Sequence, residues 1–440
     1  MTQSVSFKTV KRFPLLMWIL LFGSFITRGS FYMVWPFLAV ILFEKFQLSA
    51  TRIGLILSSA AVVSVLVSFV VSSLSDRIGR RPMMYATGVL YIISFSLLAE
   101  ANTVNGFVIV ITLCSIATAL WRPLTSALIG DVIGDSGVRE LAMQSLYFAV
   151  NVGCAIGPIV GVWLGLTGQQ SSFYFTTYAF GFLLVLLFLG FRHFDRQAKI
   201  DTLDPIEDMV QVQFDTRQTV TNNESKNDKP KSGLKYVLRI LGQDKLLQYL
   251  ILANVLCMFI YGQMDSSLIQ YLTREKVTDL LELVSSMIFT NAMVIITCQF
   301  ILLKMMSKQS LIRRVQIGLL LLAISQLWFA LNPVTMFWGW IAAVIIMSLA
   351  EAILFPTMNV HIDRIAPAHL RGAYFGAASF YDFGFAFAPL GGGIILDYFG
   401  GPILFLGCGL LALFIIYLYH VLEHMSGPDV KTEAKSTGQR

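Results

Sequence analysis

The sequence predicts an all-α membrane protein with twelve transmembrane helices in two pseudo-symmetric bundles of six. Three observations lead to this prediction: the composition, the spacing of apolar segments and an internal repeat. Apolar residues make up 56% of the 440 residues and charged residues only 13%, whereas soluble domains are about 25% charged. Because lipid offers no water to backbone groups, long apolar segments span it as helices. The short alternating segments that are typical of membrane β-barrels do not occur in the sequence.

Twelve apolar segments are long enough to cross a bilayer, which takes about 20 residues each. They cover 14–43, 52–72, 82–99, 106–131, 141–166, 172–192, 246–272, 283–303, 311–331, 335–363, 371–396 and 402–422. The interval after the sixth segment is polar, and it cannot bury enough apolar surface to fold by itself. The predicted domains are a first bundle over 1–192, a linker over 193–245, a second bundle over 246–424 and a tail over 425–440.

The placement of basic residues predicts the orientation. If the N-terminus is inside, the inward loops and tails hold 26 of the 32 lysines and arginines, and the outward loops hold four. Basic residues concentrate on the cytoplasmic side of membrane proteins. We therefore expect both termini and the linker to be cytoplasmic.

The two halves repeat a pattern of small and polar residues at an offset that drifts from 233 to 231. The residues Pro123, Asp131, Arg139, Gly153, Gly157, Pro158 and Gly161 recur as Pro356, Asp363, Arg371, Gly384, Ala388, Pro389 and Gly392. Repeats of this kind are common in secondary transporters, which bind substrate between the halves near the midplane.

A short basic loop after the second segment carries the first motif. Its residues are Asp76, Arg77, Gly79, Arg80 and Arg81. By itself the loop could be an anchor at the cytoplasmic face. The stretch resembles the loop signature of the major facilitator superfamily, G-x-x-x-D-R-x-G-R-R, with Ser72 in place of the first glycine. In that family the loop helps to latch the outward-facing state, and the resemblance implies a gating role here.

The fifth segment carries the second motif. Gly153, Gly157 and Gly161 recur every four residues, which lets helices pack closely, and Pro158 kinks the helix. Ordinary helix packing is the simpler explanation. The stretch also resembles the antiporter signature of proton-driven drug exporters in the same superfamily, although Val162 stands where that pattern usually has glycine. The resemblance implies that these residues take part in gating.

The resemblance extends over nearly the whole chain. The stretches 26–29, 35–38, 241–245 and 351–356 look like those of a bacterial multidrug and dipeptide exporter subgroup. This likeness implies the major facilitator fold, a location in the bacterial cytoplasmic (inner) membrane and proton-coupled efflux.

Five ionisable residues lie well inside the apolar segments: Arg28, Arg122, Asp265, Glu351 and Asp382. A charge at that depth costs at least about 2.5–3.5 kcal/mol, so it needs a partner, a wet cavity or a function. A structural ion pair between helices is the alternative explanation for each. Polar and aromatic residues share helical faces with these charges, and Asn254 shares the face of Tyr261 and Asp265.

These faces predict a central substrate cavity lined by Arg28, Tyr32, Trp35, Arg122, Tyr261, Phe355 and Asn359. We expect Asp265, Glu351 and Asp382 to carry coupling protons. A carboxylate is switched when the opening and closing of a cavity change its hydration, and a nearby arginine favours its charged form. In the subgroup that this chain resembles, acidic residues of spans 7 and 10 are typical coupling or cation-recognition sites.

Other functional classes lack sequence support. There is no phosphate-binding loop for ATP-driven transport, and no catalytic or metal-binding constellation emerges. We expect a monomer that is not an enzyme and that uses no cofactor, metal or nucleic acid. Its expected partners are a small-molecule substrate, protons and the bilayer. The predicted function is proton-coupled export of drug-like or amphipathic molecules or short peptides. The alternatives are a metabolite- or siderophore-specific transporter of the same fold and a non-transporting membrane sensor.

Overall fold

A computed structural model describes residues 12–203, 242–366 and 371–423 of the chain. Within these ranges twelve helices are long and apolar enough to cross a membrane. The prediction of an all-α protein with twelve spans is therefore confirmed.

The first six helices form one half. They are α1 (Leu15–Val34, then Leu38–Phe46), α2 (Ala50–Ile78), α3 (Arg80–Glu100), α4 (Val104–Val132), α5 (Ser136–Trp163) and α6 (Phe173–Leu203). The second six form the other half. They are α7 (Lys245–Tyr261, then Ile269–Arg274), α8 (Leu280–Met305), α9 (Leu311–Leu331), α10 (Phe337–Ile365), α11 (Arg371–Ala378, then Asp382–Phe399) and α12 (Gly401–Glu423).

Three helices are interrupted by tighter or wider turns. A 3₁₀ turn at Trp35–Phe37 divides α1, and Pro36 lies inside it. A π-helical turn at Met264–Leu268 divides α7. A 3₁₀ turn at Ser379–Tyr381 divides α11. Irregular turns of this kind inside helices often mark functional sites.

The predicted ends agree with the helices to within about six residues, except at α6. The apolar segment ends at 192, but α6 continues to Leu203, so the first part of the expected linker is helical. Apolarity marks where lipid ends, and a helix can continue past it when polar contacts hold it. Here Asp195 forms an ion pair with Arg81 at 2.8 Å. Residues 204–241 of the linker and the 425–440 tail lie outside the described residues.

The internal repeat has a physical counterpart in helix packing. A Cβ atom at Gly153 in α5 would lie 2.6 Å from the backbone carbonyl oxygen of Phe25 in α1. In the second half, a Cβ atom at Gly384 in α11 would overlap the carbonyl of Val255 in α7. The pair of α11 and α7 in the second half corresponds to the pair of α5 and α1 in the first half. The two halves therefore use small residues at equivalent helix contacts.

The halves meet where α2 packs on α11 and α5 packs on α8. Each half also has its own aromatic core. The rings of Tyr91 and Phe180 stack at 3.6 Å in the first, and those of Phe329 and Trp340 stack at 6.0 Å in the second. Two separately packed halves around one interface leave the functional space between them.

Candidate functional site

In the part of the chain that the structure describes, three adjoining cavities lie between the halves, of about 370, 100 and 390 Å³. We call them the aromatic, polar and terminal-side cavities. The aromatic and polar cavities share Tyr32 and Asp265 as lining residues. The polar and terminal-side cavities share Glu351, and Asp382 lines both the aromatic and the terminal-side cavity. The three cavities therefore adjoin one another in a series that extends from α1 to α10.

The aromatic cavity is built on the broken helix α1. Arg28, Phe31 and Trp35 project from it at helical spacings and line the cavity. The Phe31 and Trp35 rings stack with centroids 4.9 Å apart. The guanidinium carbon of Arg28 lies 5.7 Å from the centroid of the Phe31 ring, a cation–π distance. One wall therefore combines a cation with aromatic surface.

The polar cavity surrounds a hydrogen-bonded carboxylate. Glu351 of α10 is only 8% exposed. Its Oε2 accepts a hydrogen bond from the Tyr261 hydroxyl at 2.7 Å and another from Asn291 Nδ2 at 2.7 Å. Asn291 of α8 also donates to Ser348 Oγ at 3.1 Å. Three helices thus hold one carboxylate at the cavity wall, and donors of this kind stabilise its ionised form.

The second carboxylate of the polar cavity, Asp265, belongs to the π-helical turn of α7. The turn is closed by a hydrogen bond from Leu268 N to Gln263 O at 2.8 Å, five residues apart. Asp265 lines both the polar and the aromatic cavity. Among the described residues, no donor forms a hydrogen bond with its carboxylate. The wide turn therefore presents an open carboxylate where the two cavities meet.

The terminal-side cavity lies toward the face of the bundle where α1 begins and α12 ends, which we call the terminal face. Phe355 and Asn359 of α10 line it together with Gln299 of α8 and Tyr147 of α5. Asp382 lines it just after the 3₁₀ turn of α11. Its walls come from both halves, so relative motion of the halves changes its access.

The opposite end, the far face, is closed by polar contacts between the halves. Asp397 of α11 accepts hydrogen bonds from the backbone N–H groups of Ala50 and Thr51, at 3.0 and 2.7 Å. Arg274 of α7 donates to the Leu48 carbonyl at 3.1 Å. We call this group the far-face clamp. It joins the far-face ends of α7 and α11 to the start of α2 and to Leu48 just before it.

Nine of the candidate residues named from the sequence line the three cavities. The aromatic, polar and terminal-side cavities are lined by Arg28, Tyr32, Trp35, Tyr261, Asp265, Glu351, Phe355, Asn359 and Asp382. The side chain of Arg122 lies outside the described part of the structure. Among the described residues, no carboxylate lies within 4 Å of the Arg28 guanidinium. Arg28 is thus brought to the aromatic cavity, where it forms no ion pair with any carboxylate that the structure describes.

Asn254, which shares a helical face with Tyr261 and Asp265, does not line any of the three cavities. It is 1% exposed, and its Oδ1 accepts a hydrogen bond from the Tyr419 hydroxyl at 2.8 Å. Helical spacing places Asn254 and Tyr261 on one face of α7. It does not show which neighbouring helix packs against each part of that face. Near the terminal face α12 covers it, so Asn254 packs between helices.

The basic-loop residues that are described make contacts within the first half. Gly79 adopts φ +103° at the start of α3, which favours glycine. Arg80 forms an ion pair with Asp131 at 3.3 Å, and Arg81 forms one with Asp195. The side chains of Asp76 and Arg77 lie outside the described residues.

The glycines of the second motif bring α5 against α1. A Cβ atom at Gly153 would lie 2.6 Å from the carbonyl oxygen of Phe25, and one at Gly161 would overlap the Met33 side chain. Pro158, beside Gly157, lies inside α5. These contacts are internal to the first half, while the neighbouring Cys154 lines the polar cavity.

Sequence reasoning missed several residues of the site. Asn291 was the most informative of these, because it is an amide in the middle of the 283–303 segment and polar residues at that depth need a partner. Asn151 and Cys154 also line the polar cavity. The far-face clamp gave no sequence signal, since Arg274 and Asp397 look like ordinary residues at helix ends.

Known proteins that are similar to this chain have low sequence identity to it, but the similarity covers most of each chain. The chain is 26% identical over 385 residues to the uncharacterized MFS-type transporter YqjV of Bacillus subtilis (strain 168), which covers 87% of each chain. It is 24% identical over 399 residues to a Na(+), Li(+), K(+)/H(+) antiporter of Planococcus maritimus, covering 84% of this chain and 87% of that one.

A crystal structure of a POT family transporter in complex with 5-aminolevulinic acid superposes with a TM-score of 0.68 at 17% identity, covering 93% of this chain and 96% of that one. At this identity the likeness shows the fold alone. The family model of the Major Facilitator Superfamily matches residues 20–382, which include most of α1, all of α2 to α10, the charged residues of the cavities and the basic loop. The chain is a multi-pass membrane transporter that belongs to the Major Facilitator Superfamily.

Proposed function

We propose that this transporter is a proton-coupled exporter in a bacterial cytoplasmic membrane, acting on drug-like or amphipathic small molecules or short peptides. The observation that carries the proposal is the pair of carboxylates at the polar cavity. Glu351 is held by Tyr261 and Asn291, and Asp265 is open to two cavities. Asp382, which lines both neighbouring cavities, is the third candidate carrier.

Coupling requires a group that is protonated in one state and ionised in another. In water the carboxylic acids of Asp and Glu have a pKa of about 4, so they are ionised at neutral pH. Desolvation favours the neutral form, and hydrogen-bond donors favour the ionised form. When the halves move, the hydration of the polar cavity changes, so protons would load and leave there as substrate moves through the adjoining cavities.

The far-face clamp and the two motifs supply the conformational part of the proposal. With cytoplasmic termini, the far face is external, and the clamp would hold the external gate shut. Release of Asp397 from α2 would let the outer ends of α2 and α11 separate. The basic loop, with Asp76 and Arg77, would stabilise the opposite, outward-facing state, and Arg80 and Arg81 would anchor the loop to its own half.

The size of the cavities supports a small-molecule substrate. The aromatic and terminal-side cavities, at about 370 and 390 Å³, fall in the range of about 300–1,000 Å³ that is usual for drug-sized ligands. Phe31, Trp35 and Phe355 supply apolar surface, and Asn359 supplies a polar contact.

Vesicle transport with an imposed pH gradient tests the direction and the coupling. In inverted membrane vesicles that are acidified inside, an exporter accumulates its substrate, and collapse of the gradient with a protonophore abolishes accumulation. A metabolite importer would instead lose substrate from such vesicles. Accumulation that persists without the gradient would contradict proton coupling.

A second candidate is exchange of monovalent cations for protons. The polar cavity favours it, because at about 100 Å³ it is too small for a drug-like molecule, and two carboxylates line it. Oxygen ligands from carboxylates and amides suit hard cations. The Planococcus maritimus relative is named as an antiporter of such cations. Addition of Na⁺ or K⁺ to acid-loaded inverted vesicles, followed with a pH-sensitive dye, distinguishes the two: rapid alkalinisation by the cation alone favours exchange.

A further inference from the structure

We infer that Arg28 is the recognition group for an anionic function on an amphipathic substrate, so that the aromatic cavity takes organic monoanions such as arylcarboxylates. This inference rests on the proposed transport of amphipathic molecules and names the chemical class within it. It concerns binding alone and does not depend on the direction of transport or on protons.

The first argument is the charge balance of the aromatic cavity. Arg28 lies near the middle of the span Leu15–Phe46 and lines the cavity wall. Its described contact is the face of the Phe31 ring at 5.7 Å, and among the described residues no carboxylate lies within 4 Å. A guanidinium at that depth is stabilised strongly by an anion that reaches it, because water screens the pair poorly there.

The second argument is the geometry of the wall around Arg28. A guanidinium presents a planar fork of donors that matches a carboxylate, phosphonate or sulfonate. The stacked rings of Phe31 and Trp35 lie beside it, so a ligand whose anionic group pairs with Arg28 lays its apolar body against aromatic surface. An inorganic anion would leave that surface, and most of the cavity of about 370 Å³, unused.

The third argument is the position of the negative residues. Asp265 and Asp382 line the same cavity, but they belong to α7 and α11 of the other half. An anion is therefore attracted to the α1 wall and repelled by the opposite wall, which fixes its orientation. A substrate cation would experience the reverse and would be directed away from Arg28.

Binding to the purified full-length protein in detergent, with no gradient, tests the inference. The probes are 1-naphthaleneacetate, its methyl ester and 1-naphthylmethylamine, which share one aromatic body and differ in charge. We expect the carboxylate to bind about 10- to 100-fold more tightly than the ester, the range that a charge-assisted hydrogen bond supplies. Arg28→Gln should remove most of that difference, and Arg28→Lys should retain part of it, because lysine keeps the charge but lacks the fork.

Arg196→Gln, a charge removal at an exposed position near the end of α6, is the matched control and should leave the difference unchanged. If Arg28→Gln does not fold, the comparison of the three probes on the unaltered protein still decides. Equal affinity for ester and carboxylate, or tighter binding of the amine, would overturn the inference. Chloride, varied against gluconate at constant ionic strength, should compete weakly, and chloride binding as tight as that of the carboxylate would also overturn it. Failure here with intact pH-driven transport would leave the proposed function standing.

Discussion

The carboxylate of Asp397 accepts a hydrogen bond from the backbone N–H of Thr51 at 2.7 Å, although the two residues are 346 positions apart. Asp397 thereby caps the N-terminus of α2 from the other half of the molecule, a position that also favours a negative charge through the helix dipole. Polar contacts of this kind can be broken and remade during a transport cycle.

Asp397→Ala should open the far face. Loss of a helix cap costs about 0.5–2 kcal/mol, which corresponds to a shift in the open population of about two- to thirtyfold. The measurement is the labelling rate of a cysteine placed at Ala39, which lines the aromatic cavity, by an impermeant maleimide in a variant without native cysteines. Glu282→Gln, at an exposed residue in the first turn of α8, is the control and should leave the rate unchanged. An unchanged rate with Asp397→Ala would mean that the clamp does not hold the gate.

The close approach of α1 and α5 predicts a selective loss of stability. A Cβ atom at Gly157 would overlap the Gly29 backbone, whereas nothing lies within 4 Å of a Cβ atom at Gly181. Gly157→Ala should therefore destabilise the protein by about 1–3 kcal/mol through overpacking, and Gly181→Ala should leave it unchanged or slightly more stable. Thermal unfolding in detergent compares the two. Equal melting temperatures would show that α1 and α5 adjust without cost.

The fold was predictable because each span is visible in the sequence as a long apolar segment. In lipid, such a segment must satisfy its own backbone hydrogen bonds, so it forms a helix. The contents of the site were predictable where a charge stood alone in a span, as with Asp265 and Glu351. The partners of those charges were harder to predict. Asn291 reaches Glu351 only because α8 and α10 pack together, and single-helix spacing carries no information on which helices become neighbours.

The hydroxyl of Tyr261 should contribute to coupling separately from its ring. Tyr261→Phe removes the 2.7 Å hydrogen bond to Glu351 and retains the edge-to-face contact with Phe355 at 5.0 Å. Hydrogen bonds to charged groups contribute about 1.5–3 kcal/mol, so gradient-driven transport should fall by about tenfold or more. Tyr417→Phe, at a 60% exposed position in α12, should transport normally. Full activity of Tyr261→Phe would show that Asn291 alone is sufficient for Glu351.

The orientation of the chain can be tested apart from its mechanism. With 26 of 32 basic residues expected inside, a single cysteine at Lys226→Cys should resist an impermeant reagent in intact cells and react in inverted vesicles. A cysteine at Lys276, in an expected outward loop, should show the reverse pattern. Efficient labelling at position 226 from outside would invert the proposed direction of transport.

The central claim is that Glu351 and Asp265 carry the coupling protons, and uphill transport in vesicles with a set pH gradient tests it most directly. Glu351→Gln and Asp265→Asn keep the side-chain size and remove the ionisable group. The account predicts that each abolishes gradient-driven accumulation while downhill substrate exchange persists, because binding and conformational change no longer require a proton. Wild-type rates of gradient-driven accumulation in both variants would contradict it and would mean that the protons are carried elsewhere.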